Sequence, residues 1–187
     1  NGGTGNDLLA GGPGVDTVIF SSKNNRINLL STARQNTREG RDILIGIENV
    51  NGGGGNDIIR GHRGANTFRG GSGVDKLYGQ AGDDTLFGGQ GNDTLYGGGD
   101  DVILYGGSGV DKLYGQAGDD TLFGGQGNDT LYGGAGNDIF QINTGIRGVG
   151  RDLITDYDSD TDRIELLGGG VESDLTLSYI GGDTRIK

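Results

Sequence analysis

Residues 70–98 read GGSGVDKLYGQAGDDTLFGGQGNDTLYGG, and residues 106–134 repeat those 29 letters unchanged. The offset is 36 residues, which places the phrase GGQGNDTLY at 88–96 and again at 124–132. The shorter period inside the duplication decides how it is read. From Gly52 to Gln141 the chain divides into ten nonapeptides with no insertion or deletion. Two further units, GGTGNDLLA and GGPGVDTVI, stand at Gly2–Ala10 and Gly11–Ile19. The consensus is GGxGxDxUx, where U is a large apolar residue. A fixed period of this kind marks stacked repeats rather than low complexity.

Each unit carries its own structural instructions. Glycine at three of the first four positions permits positive φ and close backbone approach, as a tight turn requires. The last three residues form a minimal strand of period two, so U faces one way and its neighbours the other. U is Ile59, Phe68, Leu77, Leu86, Leu95, Leu104, Leu113, Leu122, Leu131 and Phe140. Two units make one coil of a parallel solenoid, so successive units alternate between opposite sheets. An offset of 36 residues is then two whole coils, and each duplicated block returns to the same sheet.

Composition sets what such a coil must overcome. Glycine occupies 44 of 187 positions, hydrophobic residues are 31%, and the formal net charge is −11. Taken without the repeats, these values fall near those of disordered chains. A core one side chain thick does little against chain entropy, and stacked aspartates add like-charge repulsion at each coil. A cation is therefore expected. Oxygen donors abound, while cysteine is absent and His62 is the only histidine, which favours a hard divalent ion such as calcium. The acidic balance argues against nucleic acid and anionic membranes as partners. No apolar run is long enough to span a bilayer, and no signal-peptide pattern is read.

The repeats resemble the RTX calcium-binding β-roll family over roughly three quarters of the chain. The resemblance implies an all-β fold, a right-handed parallel β-roll whose two sheets are joined by calcium-binding turns. It also implies several calcium ions, each between successive turns of one column. One column carries Asp57, Asp75, Asp93, Asp111 and Asp129, and the other Asn66, Asp84, Val102, Asp120 and Asp138. Carried onto this chain, the family pattern gives ligand sets from carbonyls and aspartates. The first is Gly53, Gly55 and Asp57 with Gly70, Ser72 and Asp75. Gly71, Gly73 and Asp75 then face Gly88, Gln90 and Asp93. Gly89, Gly91 and Asp93 face Gly106, Ser108 and Asp111, and Gly107, Gly109 and Asp111 face Gly124, Gln126 and Asp129. On the second column only Gln116, Gly118 and Asp120 with Gly133, Ala135 and Asp138 keep the full pattern. Asp7, Asp16 and Asp84 complete the expected metal set.

The unit GGGDDVILY departs from the pattern, with Asp100 where glycine belongs and Val102 where the ligand belongs. Both intervals flanking Val102 are expected to hold calcium less tightly, with compensation by Asp101 as the alternative. Position nine supplies Tyr78, Tyr96, Tyr114 and Tyr132 on one sheet, and Phe87, Tyr105 and Phe123 on the other. These read as ladders of stacked aromatics, with a sugar- or partner-binding strip as the alternative.

Four regions follow: N-terminal repeats at 1–19, an inserted degenerate coil or strand pair at 20–51, the main β-roll at 52–141, and a C-terminal cap at 142–187. The cap contains the strand-like phrases DLITDY, DRIELL and LTLSYI. Its run Asp156, Asp158, Asp160 and Asp162 imitates an EF-hand start, but Thr161 replaces the turn glycine and Leu167 the bidentate glutamate. No metalloprotease, nucleophile-elbow or phosphate-loop motif occurs, and no acid/base pair stands out from the aspartate array. The expectation is a non-catalytic calcium module from a larger protein that is secreted or displayed at the cell surface by type I export. The alternatives are a polysaccharide-binding accessory module of an enzyme such as an alginate epimerase, and a stiff segment of an adhesin or surface-layer protein. Asn1 lies one position before a repeat, and the chain is expected to be a fragment of a longer one.

Overall fold

The computed structural model describes residues 3–37, 40–144 and 150–168, which form eighteen strands and, among them, no helix. The predicted strand in LTLSYI lies outside the described residues. Every nonapeptide from Gly52 onward turns once and then extends, because its glycines take up the reversal and its apolar position eight is drawn inward. Successive strands therefore leave for opposite sheets.

One sheet has seven strands. In spatial order they are β17 (Leu153–Ile154), β15 (Thr130–Ala135), β13 (Lys112–Ala117), β11 (Thr94–Gly99), β9 (Lys76–Ala81), β7 (Ile58–Arg60) and β3 (Arg26–Asn28). The other has eight: β18 (Arg163–Leu167), β16 (Ile139–Asn143), β14 (Thr121–Gln126), β12 (Ile103–Ser108), β10 (Thr85–Gln90), β8 (Thr67–Ser72), β6 (Asn49–Asn51) and β2 (Thr17–Ile19). All neighbours within these two sheets run parallel. Leu86 pairs with Leu104, and Leu95 with Leu113, so the register advances one coil of two units. The fold is a parallel β-solenoid of the β-roll kind.

The core is a single file between the sheets. Phe68, Leu77, Leu86, Leu95, Leu104, Leu113, Leu122, Leu131 and Phe140 are completely buried. The six-residue strands of the main repeats show the alternation that period two demands, with positions seven and nine outward. Among the described residues no helix is long and apolar enough to cross a membrane.

The segment 20–51 lies within the stack. β4 (Gln35–Asn36) pairs antiparallel with β5 (Arg41–Ile45), and β5 pairs parallel with β1 (Leu8–Ala10) in a third, small sheet. Its two ends belong to the main sheets: β3 pairs with β7, and β6 bridges β2 and β8. Ile27 pairs with Ile59, and both are buried. Phe20–Asn28 is thus a degenerate third nonapeptide, in phase with the two before it.

The outward aromatics form ladders. Tyr78, Tyr96 and Tyr114 stack at 4.9 Å between ring centroids with planes 7° apart, and Phe87 stacks on Tyr105 at 4.9 Å. Arg60 and Arg69 close the N-terminal ends by lying over Tyr78 and Phe87 at 4.0 and 4.1 Å. The faces of the central rings are covered by one another, so a flat sugar has no open ring face there to rest upon.

Candidate metal centre

The turns joining the sheets form two columns, and coil spacing in them is set by glycine. Gly91 has φ +128°, and a methyl group placed on it would meet the Gly73 carbonyl of the preceding coil at 1.6 Å. Only glycine allows that approach. The consequence is that turn carbonyls press into the gap between coils rather than into solvent.

Position six shows a regular relationship. The buried N–H of Asp57 donates to Asp75 Oδ1 at 2.7 Å, Asp75 to Asp93 at 2.8 Å, Asp93 to Asp111 at 2.8 Å and Asp111 to Asp129 at 2.8 Å. In the second column Asn66 donates to Asp84, Val102 to Asp120 and Asp120 to Asp138. Each aspartate therefore turns Oδ1 toward the coil before it. The other oxygen has no partner: Oδ2 of Asp7, Asp16, Asp57, Asp75, Asp84, Asp93, Asp111, Asp120, Asp129 and Asp138 is buried and accepts no hydrogen bond. A buried, ionised oxygen without a donor is expensive. Ten such oxygens, each at position six of its repeat, form rows of acceptors suited to a cation.

Neighbouring glycines locate these oxygens. A methyl on Gly70 would lie 2.3 Å from Asp75 Oδ2 and 2.7 Å from the Gly88 carbonyl of the next coil. The same placement recurs at Gly52 with Asp57 Oδ2 and the Gly70 carbonyl, at Gly88 with Asp93 and Gly106, at Gly106 with Asp111 and Gly124, and at Gly115 with Asp120 and Gly133. Oδ2 thus faces the coil ahead, beside that coil's first carbonyl. The carbonyls of Gly53, Gly55, Gly71, Gly73, Gly89, Gly107, Gly109, Gln116 and Gly118 abut the glycines one coil ahead. Those of Ser72, Gln90, Ser108, Gln126 and Ala135 face back, accepting from Gly55, Gly73, Gly91, Gly109 and Gly118. The structure brings each predicted ligand set to one gap.

Burial governs the acidities. It pushes Asp75, Asp84, Asp111 and Asp120 up to about 7, and Asp57 to about 6, against the lowering effect of the backbone hydrogen bonds. Neighbouring carboxylates add to the rise, as Asp93 and Asp57 do for Asp75. Asp93, Asp129 and Asp138 are raised for the same first reason. Among the described residues no group of three or more His, Cys, Asp or Glu side chains could hold a metal by itself. Each gap offers at most two carboxylates from position six, so carbonyls must complete any shell. That donor set suits calcium, which takes six to eight oxygens at about 2.3–2.6 Å.

Several members of the columns escape a reading by the GGxGxD consensus. Asn25 precedes Asp57, donating from its N–H to Asp57 Oδ1 at 2.6 Å, and its own Oδ1 is a buried orphan. Asp7 and Asp16 donate to Asp42 Oδ1 and Glu48 Oε2. At the far end Asp129 donates to Asp152 Oδ1 and Asp138 to Asp162 Oδ1. The signal for Asp152 was available, because Gly148, Gly150, Asp152 and Ile154 keep the GxGxDxU spacing after a five-residue slip. In the EF-hand-like run, Asp162 Oδ2 accepts from the Asp158 N–H, and Asp156 accepts from Gly133 and Gly134. Asp162 thus closes its own turn as well as ending its column, whereas Asp156 ties its segment to the coil behind. His62 accepts from the Gly64 N–H and lies beside the Asn66 amide, whose oxygen accepts from the His62 N–H.

Position five adds a second ladder running in the opposite direction. Val74 N–H donates back to Asn56 Oδ1, Val110 to Asn92, Asp119 to Asp101 and Asn137 to Asp119. The x between glycine and aspartate is therefore a turn-to-turn link at Asn56, Asn92, Asp101 and Asp119.

Parallel coils, glycine turns and paired rows of half-satisfied aspartates define a calcium-binding repeat protein of the β-roll class. The RTX calcium-binding nonapeptide repeat is matched four times, over residues 1–27, 42–77, 69–104 and 105–140, and the chain belongs to that family. No curated protein matches it.

Proposed function

We propose that this chain is a non-catalytic, calcium-dependent folding module of a larger secreted or cell-surface protein, exported unfolded by the type I route and ordered outside the cell. The observation that carries the reading is the row of buried, unpartnered Oδ2 atoms facing turn carbonyls. Without a counter-charge these carboxylates oppose the stacking that their own backbones require. Calcium bound in the gaps would supply that charge and link each coil to the next. The proposed ligands are the sets given by the repeat pattern: on the first column the carbonyl and Asp groups running from Gly53 to Asp129, and on the second Gln116, Gly118 and Asp120 with Gly133, Ala135 and Asp138. Asp7, Asp16 and Asp84 offer the same orphaned oxygen elsewhere in the stack. The tyrosine ladder supports a stiffening role rather than polymer binding, because its ring faces are occupied.

Circular dichroism during a calcium titration tests this. The chain in excess chelator is expected to be largely disordered, with β-structure appearing cooperatively at about 0.1–1 mM calcium, the range of extracellular sites. A chain fully folded in chelator would overturn the proposal.

A further inference from the structure

The two gaps beside Val102 look equally damaged in sequence, but the structure makes them unequal. Along each column an aspartate turns Oδ1 to the coil behind and Oδ2 to the coil ahead. Val102 can therefore remove the forward-facing oxygen only from the gap ahead of it. There its Cγ2 takes the place of Oδ2: a methyl on Gly97 would lie 2.4 Å from Val102 Cγ2 and 2.7 Å from the Gly115 carbonyl. The gap between Val102 and Asp120 thus has an apolar methyl against its carbonyl. The only position-six carboxylate oxygen left in it, Asp120 Oδ1, already accepts from the Val102 N–H at 3.0 Å, and Asp101 Oδ1 is taken by the Asp119 N–H in the same exposed position-five link that intact gaps have.

The gap behind Val102 is different. Asp84, 1% exposed, keeps its orphaned Oδ2 aimed into it, beside the Gly97 carbonyl. The carboxylate that Val102 does not provide returns two residues earlier. Asp100 adopts φ +68°, a left-handed conformation that glycine holds in other units, and this turns its side chain back onto the preceding coil. Asp100 Oδ2 accepts from the Gly82 N–H at 2.9 Å. In intact gaps the equivalent N–H, that of Gly73 or Gly91, donates instead to the position-three carbonyl of the next coil. Asp100 thereby replaces the position-three carbonyl as acceptor and brings a negative charge to the gap.

We propose that the Asp84–Val102 gap is a calcium site completed by Asp100, and that the Val102–Asp120 gap is not a calcium site. This rests on the calcium reading above and divides what that reading leaves undivided. The substitutions Gly→Asp at 100 and Asp→Val at 102 then act as a pair: one site is rebuilt with a side chain from the turn, and its neighbour is given up.

Anomalous difference density from calcium-loaded crystals of the whole chain tests it. The expected result is a calcium peak between Asp84 and Asp100 and none between Val102 and Asp120. Asp100→Asn tolerates the same backbone conformation and can still accept from Gly82, so it removes charge without removing the turn. It should lose the Asp84 peak and lower the stoichiometry by one ion, with peaks in the Asp57–Asp129 column unchanged. Val102→Asp should add a peak before Asp120. A peak that persists unchanged in Asp100→Asn, or one between Val102 and Asp120 in the natural sequence, overturns the proposal. Absence of calcium from the Asp57–Asp129 column as well would instead overturn the function reading itself.

Discussion

The N–H of Asp75 donates to Oδ1 of Asp93 at 2.8 Å, one coil and 18 residues further along. Asp93 is thereby divided between two gaps, with one oxygen held by the coil behind and the other left bare toward the coil ahead. Each aspartate of the column is at once a backbone acceptor and, in the proposed calcium reading, half of a cation cage.

Asp93→Ala should damage two gaps together and leave the buried Asp75 N–H without an acceptor, a cost of about 1–3 kcal/mol before any metal is considered. The calcium midpoint is expected to rise and two ions to be lost by calorimetric titration. Asp93→Asn keeps an acceptor for Asp75 and should lose calcium affinity with less harm to the backbone. Equal behaviour of the two variants would contradict the division of roles.

Acidity should act in opposite senses with and without metal. Asp75 titrates at 3.8 in the ordinary state and at about 7 when buried in the fold. The folded, metal-free form therefore holds protons that the unfolded chain releases between these values. Its stability is greatest at the acid end and falls as pH rises through about 7. In chelator, β-structure measured by circular dichroism should be greater near about pH 5 than near about pH 8. Calcium needs the ionised carboxylates, so its midpoint should rise as pH falls below about 7.

Two glycines of the repeats should respond oppositely to alanine. Gly91→Ala forces a Cβ to 1.6 Å from the Gly73 carbonyl at φ +128° and is expected to abolish calcium-induced folding. Gly99 has open space around its Cβ position and no positive φ, so Gly99→Ala should change stability by no more than about 0.5 kcal/mol. Thermal unfolding of the calcium-loaded variants measures both.

In the aromatic ladder, Tyr96 stacks on both neighbours, whereas Tyr132 meets Tyr114 tilted at 45° and 6.3 Å. Tyr96→Ala should destabilise the loaded form by more than Tyr132→Ala, at about 0.5–1.5 kcal/mol for each lost stack. Denaturant unfolding in saturating calcium compares them. Equal losses would show that the ladder acts through buried area alone.

Much of this architecture was legible because the period is short and strict. Leu86, Leu95 and Leu104 lie nine residues apart, so their alternation between sheets and the two-unit coil follow from counting. Loss of the turn glycines hid Asn25, and the same strictness hid Asp42, Glu48, Asp152 and Asp162. Each occupies position six of a coil whose length differs from 18 residues, by the loop before β5, the short turn before β6 or the slip after β16. Strand pairing tolerates such loops because register is set by the inward residue and not by the number of residues between strands. The links made by Asn56, Asn92, Asp101 and Asp119 also left only a faint trace, since position five accepts valine as well.

The repeat, the alternation of sheets, the two aspartate columns and the expectation of a cation are properties of spacing and composition, and all of them can be read from the order of residues alone. The direction in which each carboxylate oxygen points is visible in the folded stack and not in the order of residues. That direction comes from a hydrogen bond between residues 18 positions apart, and it separates the gap Asp100 can complete from the one Val102 closes.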